Sequence, residues 1–455
     1  MHFPLLVLSN ITLGCSQRDT TSFTALPEAH QGDYDGPLLP FPAQLSKLPT
    51  LSGELSESLG FTAAEVYRWG YLTRDGKMIV EPGEYSLLDP AHTGGRAVFR
   101  ITSRDEEEDR VRVGDVFGIV DLRTGTACED RFPYIAPMSG GFARARRPGA
   151  SFGTVDAVFL GEGCTVLTEV DSQEKSLSDV GDFSDGLARV RKVMTLGEMR
   201  PRLSEAMVTD LAERGWKEDS QEVDNRATFK GFIDHAGAFS IPPRFYYATD
   251  FSDGLAAVRE GAAEAVGFID KSGAWAIEPT FSYAEGFHNG LALAQRDDKC
   301  GYINKSGEWA VDPEHRFCVA AGRSRVAVQT DDTWRVLQHD GTPTTHLDPF
   351  SGMNVVNIGE ECEGLLPVQV DIDNNYRWGL VDEAGTLVLA PTLHNLALPC
   401  LHNGTLLAIV DPPEGAPDTA SLPGGHELSW GGYLNTQGTW LYGPVLGPWE
   451  PLEQR

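Results

Sequence analysis

The sequence predicts an all-β fold: an array of about eight short antiparallel three-stranded meander repeats, open and solenoid-like or closed and propeller-like, with one helical insertion. Three observations carry this. One unit recurs at near-constant spacing, reading GFIDHAGAFSIPPRF from Gly231, GFIDKSGAWAIEPTF from Gly267 and GYINKSGEWAVDPEHRF from Gly301. A second signature alternates with it, FSDGLARV from Phe183, FSDGLAAV from Phe251 and FHNGLALA from Phe287. Glycine takes 49 of 455 positions, above the usual share of about 7%, which favours many tight turns and hence short strands.

Each part of the unit has a physical reason. In Gly-aromatic-Ile-Asp-Lys-Ser-Gly an apolar run meets Asp270, which can accept backbone hydrogen bonds in a turn, and Gly273 supplies the positive φ that closes it. Ala274-Trp275-Ala276-Ile277 then alternates as a strand does, and Glu278-Pro279 is expected to stop it, since proline cannot donate to a ladder. Pro82, Pro243, Pro313 and Pro391 hold the same place in their copies. In the second signature an aromatic anchor precedes Asp-Gly or Asn-Gly, and a strand such as Leu255-Ala256-Ala257-Val258 follows. One unit is therefore expected to be three strands and an irregular return. About 34 residues cannot bury a core alone, so neighbouring copies must shelter its apolar faces.

Further copies follow Trp69-Gly70, Phe117-Gly118, Trp378-Gly379 and Gly432, and a decayed one begins at Arg335. A degraded copy is expected between Phe152 and Gly181. These residues resemble the WG-repeat, or KWG-repeat, proteins of bacteria, named for the Trp-Gly that opens the unit. Trp69-Gly70 and Trp378-Gly379 carry the literal dipeptide, while Phe117, Lys230, Val266 and Cys300 replace its Trp elsewhere. The resemblance implies an all-β repeat array and a role in binding other molecules. Uneven spacing of the outer copies favours the open form of the array.

The chain divides into a lipoprotein-like leader at 1–15, a tether at 16–58, N-terminal repeats at 59–191, an insertion at 192–228, central repeats at 229–345, divergent C-terminal repeats at 346–443 and a tail at 444–455. The apolar stretch 3–13 runs into Gly14-Cys15-Ser16. It resembles the lipobox of bacterial lipoproteins, which implies that Cys15 is lipidated and the chain held in the cell envelope; a cytoplasmic chain with a chance apolar start is the alternative. Within the insertion, Leu203, Met207, Val208, Leu211 and Ala212 follow a helical period that Gly215 ends. A Pro-rich loop at 411–425 precedes the last copy.

Chemistry is sparse. The seven cysteines have no C-x-x-C spacing; without Cys15, six remain, read mainly as isolated buried thiols, with disulfides as the alternative. Asp371-Ile372-Asp373-Asn374-Asn375 has the alternating oxygens of a calcium loop, but Tyr376 and Asp382 stand where such a loop needs Gly and Glu, so it reads as an acidic hairpin tip. Asp297-Asp298 and Asp331-Asp332 read the same way, and the acidic run 105–109 as a solubilising loop. Trp275, Trp309, Phe251 and Phe287 read as core rather than as sugar-stacking platforms. Histidines are scattered, and no nucleophile elbow, phosphate loop or dinucleotide glycine pattern occurs. No catalytic, cofactor or metal residue is expected.

The functional expectation is a non-catalytic binding or scaffold module for protein or polymer ligands. The formal net charge of −29 argues against nucleic acid and favours neutral or basic partners. No apolar run approaches the roughly 20 residues of a membrane helix. The alternative is a carbohydrate-active or lectin-like protein with a site formed between repeats, for which two carboxylates would have to face each other about 5–10 Å apart.

Overall fold

The computed structural model describes strands and turns between residues 38 and 449. Segments 1–37, 45–66, 74–77, 81–86, 89–95, 108–109, 122–125, 137–141, 147–156, 161–165, 170–176, 196–207, 210–211, 214–225, 262–264, 345–346, 362–363, 402–404, 417–427 and 450–455, with residues 320 and 323, lie outside the described residues. The described part is all-β. It forms nine antiparallel sheets, seven of four strands and two of three, and in every sheet the strands are ordered as they occur in the chain. We number these blades 1 to 9, over residues 38–80, 87–127, 134–169, 177–245, 247–281, 283–315, 317–338, 354–393 and 395–447, and letter the strands of a full blade a to d.

The repeated segments fold alike. Phe232 stands opposite Ile241, Phe268 opposite Ile277 and Tyr302 opposite Val311, so the copies at Gly231, Gly267 and Gly301 are the c strands of blades 4, 5 and 6 in one register. The degraded stretch supplies blade 3, including strands Ala157–Leu160 and Val166–Glu169, which brings the blades to nine.

Two details of the expected unit are corrected. The segment read as an irregular return is a fourth strand: Tyr283–His288 pairs with Leu291–Arg296 as strand a of blade 6. A register shift between Ala284 and Phe287 interrupts that pairing. Nor does Glu278-Pro279 end its strand. Trp275–Phe281 runs through it as strand d, Val266 opposite Phe281 and Phe268 opposite Ile277, so Gly267 faces a bulge holding the proline. A Cβ on Gly267 would lie 2.6 Å from the Ile277 carbonyl oxygen and 2.8 Å from the Pro279 nitrogen. That is why this position of the unit is glycine. Pro243, Pro313 and Pro391 lie inside strands in the same way, and Pro82 lies outside the described residues.

Each blade is sheltered by the next, as the short unit requires. Phe232 and Phe245 of blade 4 pack with Phe251, Val258 and Ile269 of blade 5, and Phe268 and Phe281 of blade 5 with Phe287 and Ile303 of blade 6. Fully burying a phenylalanine contributes about 1.5–3 kcal/mol, so these aromatic seams dominate the cohesion between blades. The array is not open. Leu38–Gln44 of blade 1 lies beside Trp440–Gly447 of blade 9, and the Trp69 ring meets Trp449 edge to face with centroids 6.0 Å apart. First and last sheets therefore meet, and the molecule is a propeller-like ring.

The cysteine reading also changes. Cys300 of blade 6 and Cys318 of blade 7 form a disulfide across a blade boundary, and Cys128 is disulfide-bonded as well. Finally, the insertion is shorter than its expected bounds, because strand b of blade 4 runs to Thr195 and strand c starts at Arg226 directly opposite it. Inside it, Val208, Thr209, Ala212 and Glu213 have helical backbone; the rest of the expected helix lies outside the described residues.

Candidate binding face

Neighbouring strands run in opposite directions, so the a–b and c–d turns leave the ring on one side and the b–c connections on the other. The two sides use their polar groups differently. On the first, Asp270 Oδ1 accepts the backbone N–H of Ser272 at 2.8 Å and of Ala274 at 3.1 Å, with Gly273 at φ 83°, and Asn304, Asp382 and Asn435 close their turns likewise. The Asp of the second signature does more than turn the chain. Asp185 Oδ2 accepts the N–H of Gly254, and Asp253 Oδ2 that of Gly290, both at 2.7 Å and both from the following blade. Lys305 Nζ donates to the Asp253 carbonyl at 2.8 Å. These groups hold the ring together.

The second side carries the elaborations. Residues 105–107 of the acidic run end one arm of a hairpin whose arms, Arg96–Glu107 and Arg110–Asp121, are strands b and c of blade 2. The acidic residues 105–107 are thus strand, not loop. The 196–225 insertion joins b to c in blade 4, and 411–428 joins Thr405–Val410 to Ser429–Asn435 in blade 9. The same connection in blades 6, 7 and 8 is a two-residue turn at Asp297-Asp298, Asp331-Asp332 and Asp373-Asn374, each residue at positive φ. The strand ends that bound the long hairpin, the insertion and the 411–428 connection therefore lie on one side.

Toward this side one position recurs in blades 3, 5, 6 and 7. Tyr134 stands opposite Arg146, Tyr247 opposite Arg259, Tyr283 opposite Gln295 and Phe317 opposite Gln329, pairing strands a and b. Tyr134, Tyr283 and Phe317 are 37%, 37% and 51% exposed. Charge concentrates where blade 4 meets blade 5. Lys230 Nζ lies 5.7 Å from the centroid of Tyr246 and donates to its carbonyl, while the Arg259 guanidinium lies 5.6 Å from the same ring and 5.9 Å from that of Tyr247. Burial, and then the charges of Arg189, Arg191 and Arg259, hold the Lys230 ammonium below the usual lysine range. Asp250 meets Arg189 at 2.8 Å, and Glu260 meets Arg244 at 3.6 Å.

Between blades 8 and 9 lies a cavity of about 280 Å³ lined by Leu389, Leu393, Val410, Leu434 and Trp440. Asp411 on its wall is held by Arg377 at 2.6 Å and by His394 at 3.3 Å.

With this geometry in place, comparison with known proteins gives a sequence-level match inside the most regular part of the ring. Residues 231–262 and 267–300 each match the family model of the WG containing repeat. These segments are similar to WG repeats. They run from strand c of blade 4 into strand c of blade 6, the stretch where both signatures are sharpest. No curated protein matches the chain. Among solved structures, an acylaminoacyl peptidase from Pyrococcus horikoshii is similar at 11% identity over 79% of this chain and 52% of that one, with a TM-score of 0.36. The chain thus spans about half the length of that peptidase. The β-propeller domain of the Trilobed protease from Pyrococcus furiosus is similar at 10% identity over 72% of this chain and 88% of that one, TM-score 0.32. A quinonprotein alcohol dehydrogenase-like protein from Bacteroides thetaiotaomicron is similar at 12% identity over 69% and 85%, TM-score 0.29.

The structure places the residues singled out in the sequence as follows. Cys15 lies outside the described residues. The pairs of Asp371 with Tyr376 and Ile372 with Asn375 make the expected hairpin tip of that segment. Phe251 and Phe287 are wholly buried, and Trp309 packs edge to face on Phe281. Histidines serve separate blades: His235 stacks on Phe142, His315 meets Thr330, and His339 meets the Gly322 carbonyl. Among the described residues no group of three His, Cys, Asp or Glu is placed to hold a metal ion. The recurring Arg and Gln were missed, although aligning LARVR, LAAVR, LALAQ and RVAVQ displays them at the last position.

Proposed function

We propose that this WG-repeat ring is a non-catalytic binding or scaffold module, and that a protein or polymer ligand docks on the side of the b–c connections. The observation that carries the reading is the division of labour between the two sides. One spends its turn carboxylates on the next blade; the other gathers the insertion, the long hairpin and the recurring position of exposed aromatics and arginines. The disulfide between Cys300 and Cys318 supports a life in an oxidising compartment, in keeping with a lipid anchor at Cys15 and residence in the cell envelope.

The test is capture of partners by the full chain and by two charge-reversed variants. Asp298→Lys with Asp332→Lys alters the b–c side, and Lys271→Glu with Glu383→Lys the other. The reading expects the first variant to lose bound partners and the second to keep them. Equal capture by all three, or loss confined to the second, would overturn it. Turnover of a polysaccharide or peptide substrate that a surface carboxylate substitution abolishes would replace it with an enzyme.

A further inference from the structure

At the seam of blades 8 and 9 a leucine stands where two other seams place a phenylalanine. Phe281 ends strand d of blade 5, and its ring meets Trp309, which opens strand d of blade 6, edge to face with centroids 5.7 Å apart. Phe245 and Trp275 share a cluster in the same way one seam earlier. Register carries both positions to blades 8 and 9. Val266 stands opposite Phe281 and Trp378 opposite Leu393, while Ile303 stands opposite Trp309 and Leu434 opposite Trp440. Trp440 therefore holds the place of Trp309, and Leu393 that of Phe281. Leucine brings no ring to the tryptophan. The cavity of about 280 Å³ lies at this point, with Leu393 and Trp440 both in its wall. Protein interiors hold few voids larger than a water molecule, so a hollow of this size between two apolar faces forfeits packing that the other seams make.

We infer that this cavity binds an uncharged aromatic ring carrying an N–H or O–H donor, of which indole is the type, seated against Trp440 in the place that Phe281 fills beside Trp309. Three features select this chemistry. An apolar cavity of about 150 Å³ takes a benzene ring, so one of about 280 Å³ has room for two fused rings. Leu389, Leu393, Val410 and Leu434 make the wall apolar, which penalises a charged group placed among them. Asp411, directly after strand b of blade 9 and 52% exposed, brings a carboxylate to the rim. Its oxygens already face Arg377 at 2.6 Å and His394 at 3.3 Å. The arginine offsets its charge, so a ligand ammonium gains little there, while the oxygens still have lone pairs for a neutral donor. Free small molecules and the tryptophan side chain of a polypeptide both carry this chemistry. The inference goes beyond the proposed function and does not depend on which side a larger partner occupies.

The test is calorimetric titration of the full-length protein with indole, with N-acetyltryptophanamide and with indene, which has the shape of indole without its N–H. The inference expects saturable binding of indole, roughly threefold or more tighter than of indene, the worth of one hydrogen bond. Nuclear Overhauser contacts from bound indole to the methyl groups of Leu393 and Leu434 should locate it without any substitution. Leu393→Phe restores the ring of the other seams, and it should abolish binding and melt no lower than the parent. Leu393→Met conserves volume and should bind as the parent does. Tighter binding of the amide than of indole assigns the site to a tryptophan side chain, and the reverse order to a free small molecule; both uphold the inference. No saturable binding of either, contacts to methyl groups elsewhere, equal affinity for indene, or unchanged binding by Leu393→Phe would each overturn it. Partner capture through the b–c side is read separately, so the proposed function stands or falls on its own measurement.

Discussion

The carboxylate of Asp253 accepts the backbone N–H of Gly290 at 2.7 Å, joining the turn of one blade to the turn of the next. Asp185 and Gly254 repeat the bond one blade earlier, and Asp253 itself sits at φ 54°. The backbone of Asp253 therefore turns its own hairpin while its side chain fixes the neighbour. Asp253→Ala should cost about 1–3 kcal/mol, through the orphaned N–H and the strained backbone. Asp253→Asn keeps an acceptor and tolerates positive φ, so it should cost clearly less. Melting temperatures of the two variants check the order; equal losses would show that the inter-blade bond contributes nothing.

The glycine that follows the tryptophan position is set by space, and the glycine of the Asp-Gly turn by dihedral angle. Gly267→Ala drives a Cβ to 2.6 Å from the Ile277 carbonyl, whereas Gly254, at φ 88°, has nothing within 4 Å of the added atom. The first substitution should cost about 1–3 kcal/mol through displaced backbone, and the second about 1 kcal/mol through its backbone angle alone. Chemical denaturation of both variants separates the two effects.

Much of this was legible in the sequence and some was not. The turn at Asp270 and Gly273 was readable because its chemistry is local, and the seams at Phe251 and Phe287 because a short unit must lean on its neighbours. Strand a escaped notice since Tyr283–His288 is short and its pairing shifts register between Ala284 and Phe287, which breaks the period-2 pattern. Pro279 read as a stop because a bulge leaves no mark on composition. Ring closure joins Trp69 to Trp449, and no local pattern records a contact between the two ends of a chain.

Arg325 is enclosed with its guanidinium against Glu361 Oε2 at 3.3 Å and donating to the carbonyls of Asp382 at 2.8 Å and Gly364 at 3.0 Å. Both side chains are 1% exposed, and Glu361 Oε1 has no hydrogen-bond partner among the described residues. Removing one partner strands a buried charge, so Glu361→Ala should destabilise by about 3–5 kcal/mol. Arg325→Met with Glu361→Leu should recover most of that loss. If the single and double variants melt together, the pair is not the interaction that holds blades 7 and 8.

The disulfide between Cys300 and Cys318 closes a loop of sequence separation 18, and its loss should cost roughly 3 kcal/mol on the chain-entropy account. Peptide mapping after alkylation without reductant should recover the two cysteines linked. Cys318→Ser should melt lower than the parent in non-reducing buffer and match it once both are reduced. Both cysteines alkylated in the native protein would exclude the bond.

Closure of the ring is tested most directly by hydrogen exchange on the full chain and on Trp449→Ala. Blade 1 is held to blade 9 through the edge of Trp69 against Trp449, so amides of Tyr67–Thr73 should lose protection in the variant while those of Trp275–Phe281, remote from the junction, keep theirs. Unchanged protection at Tyr67–Thr73 would mean that the two ends do not meet and that the blades form an open array.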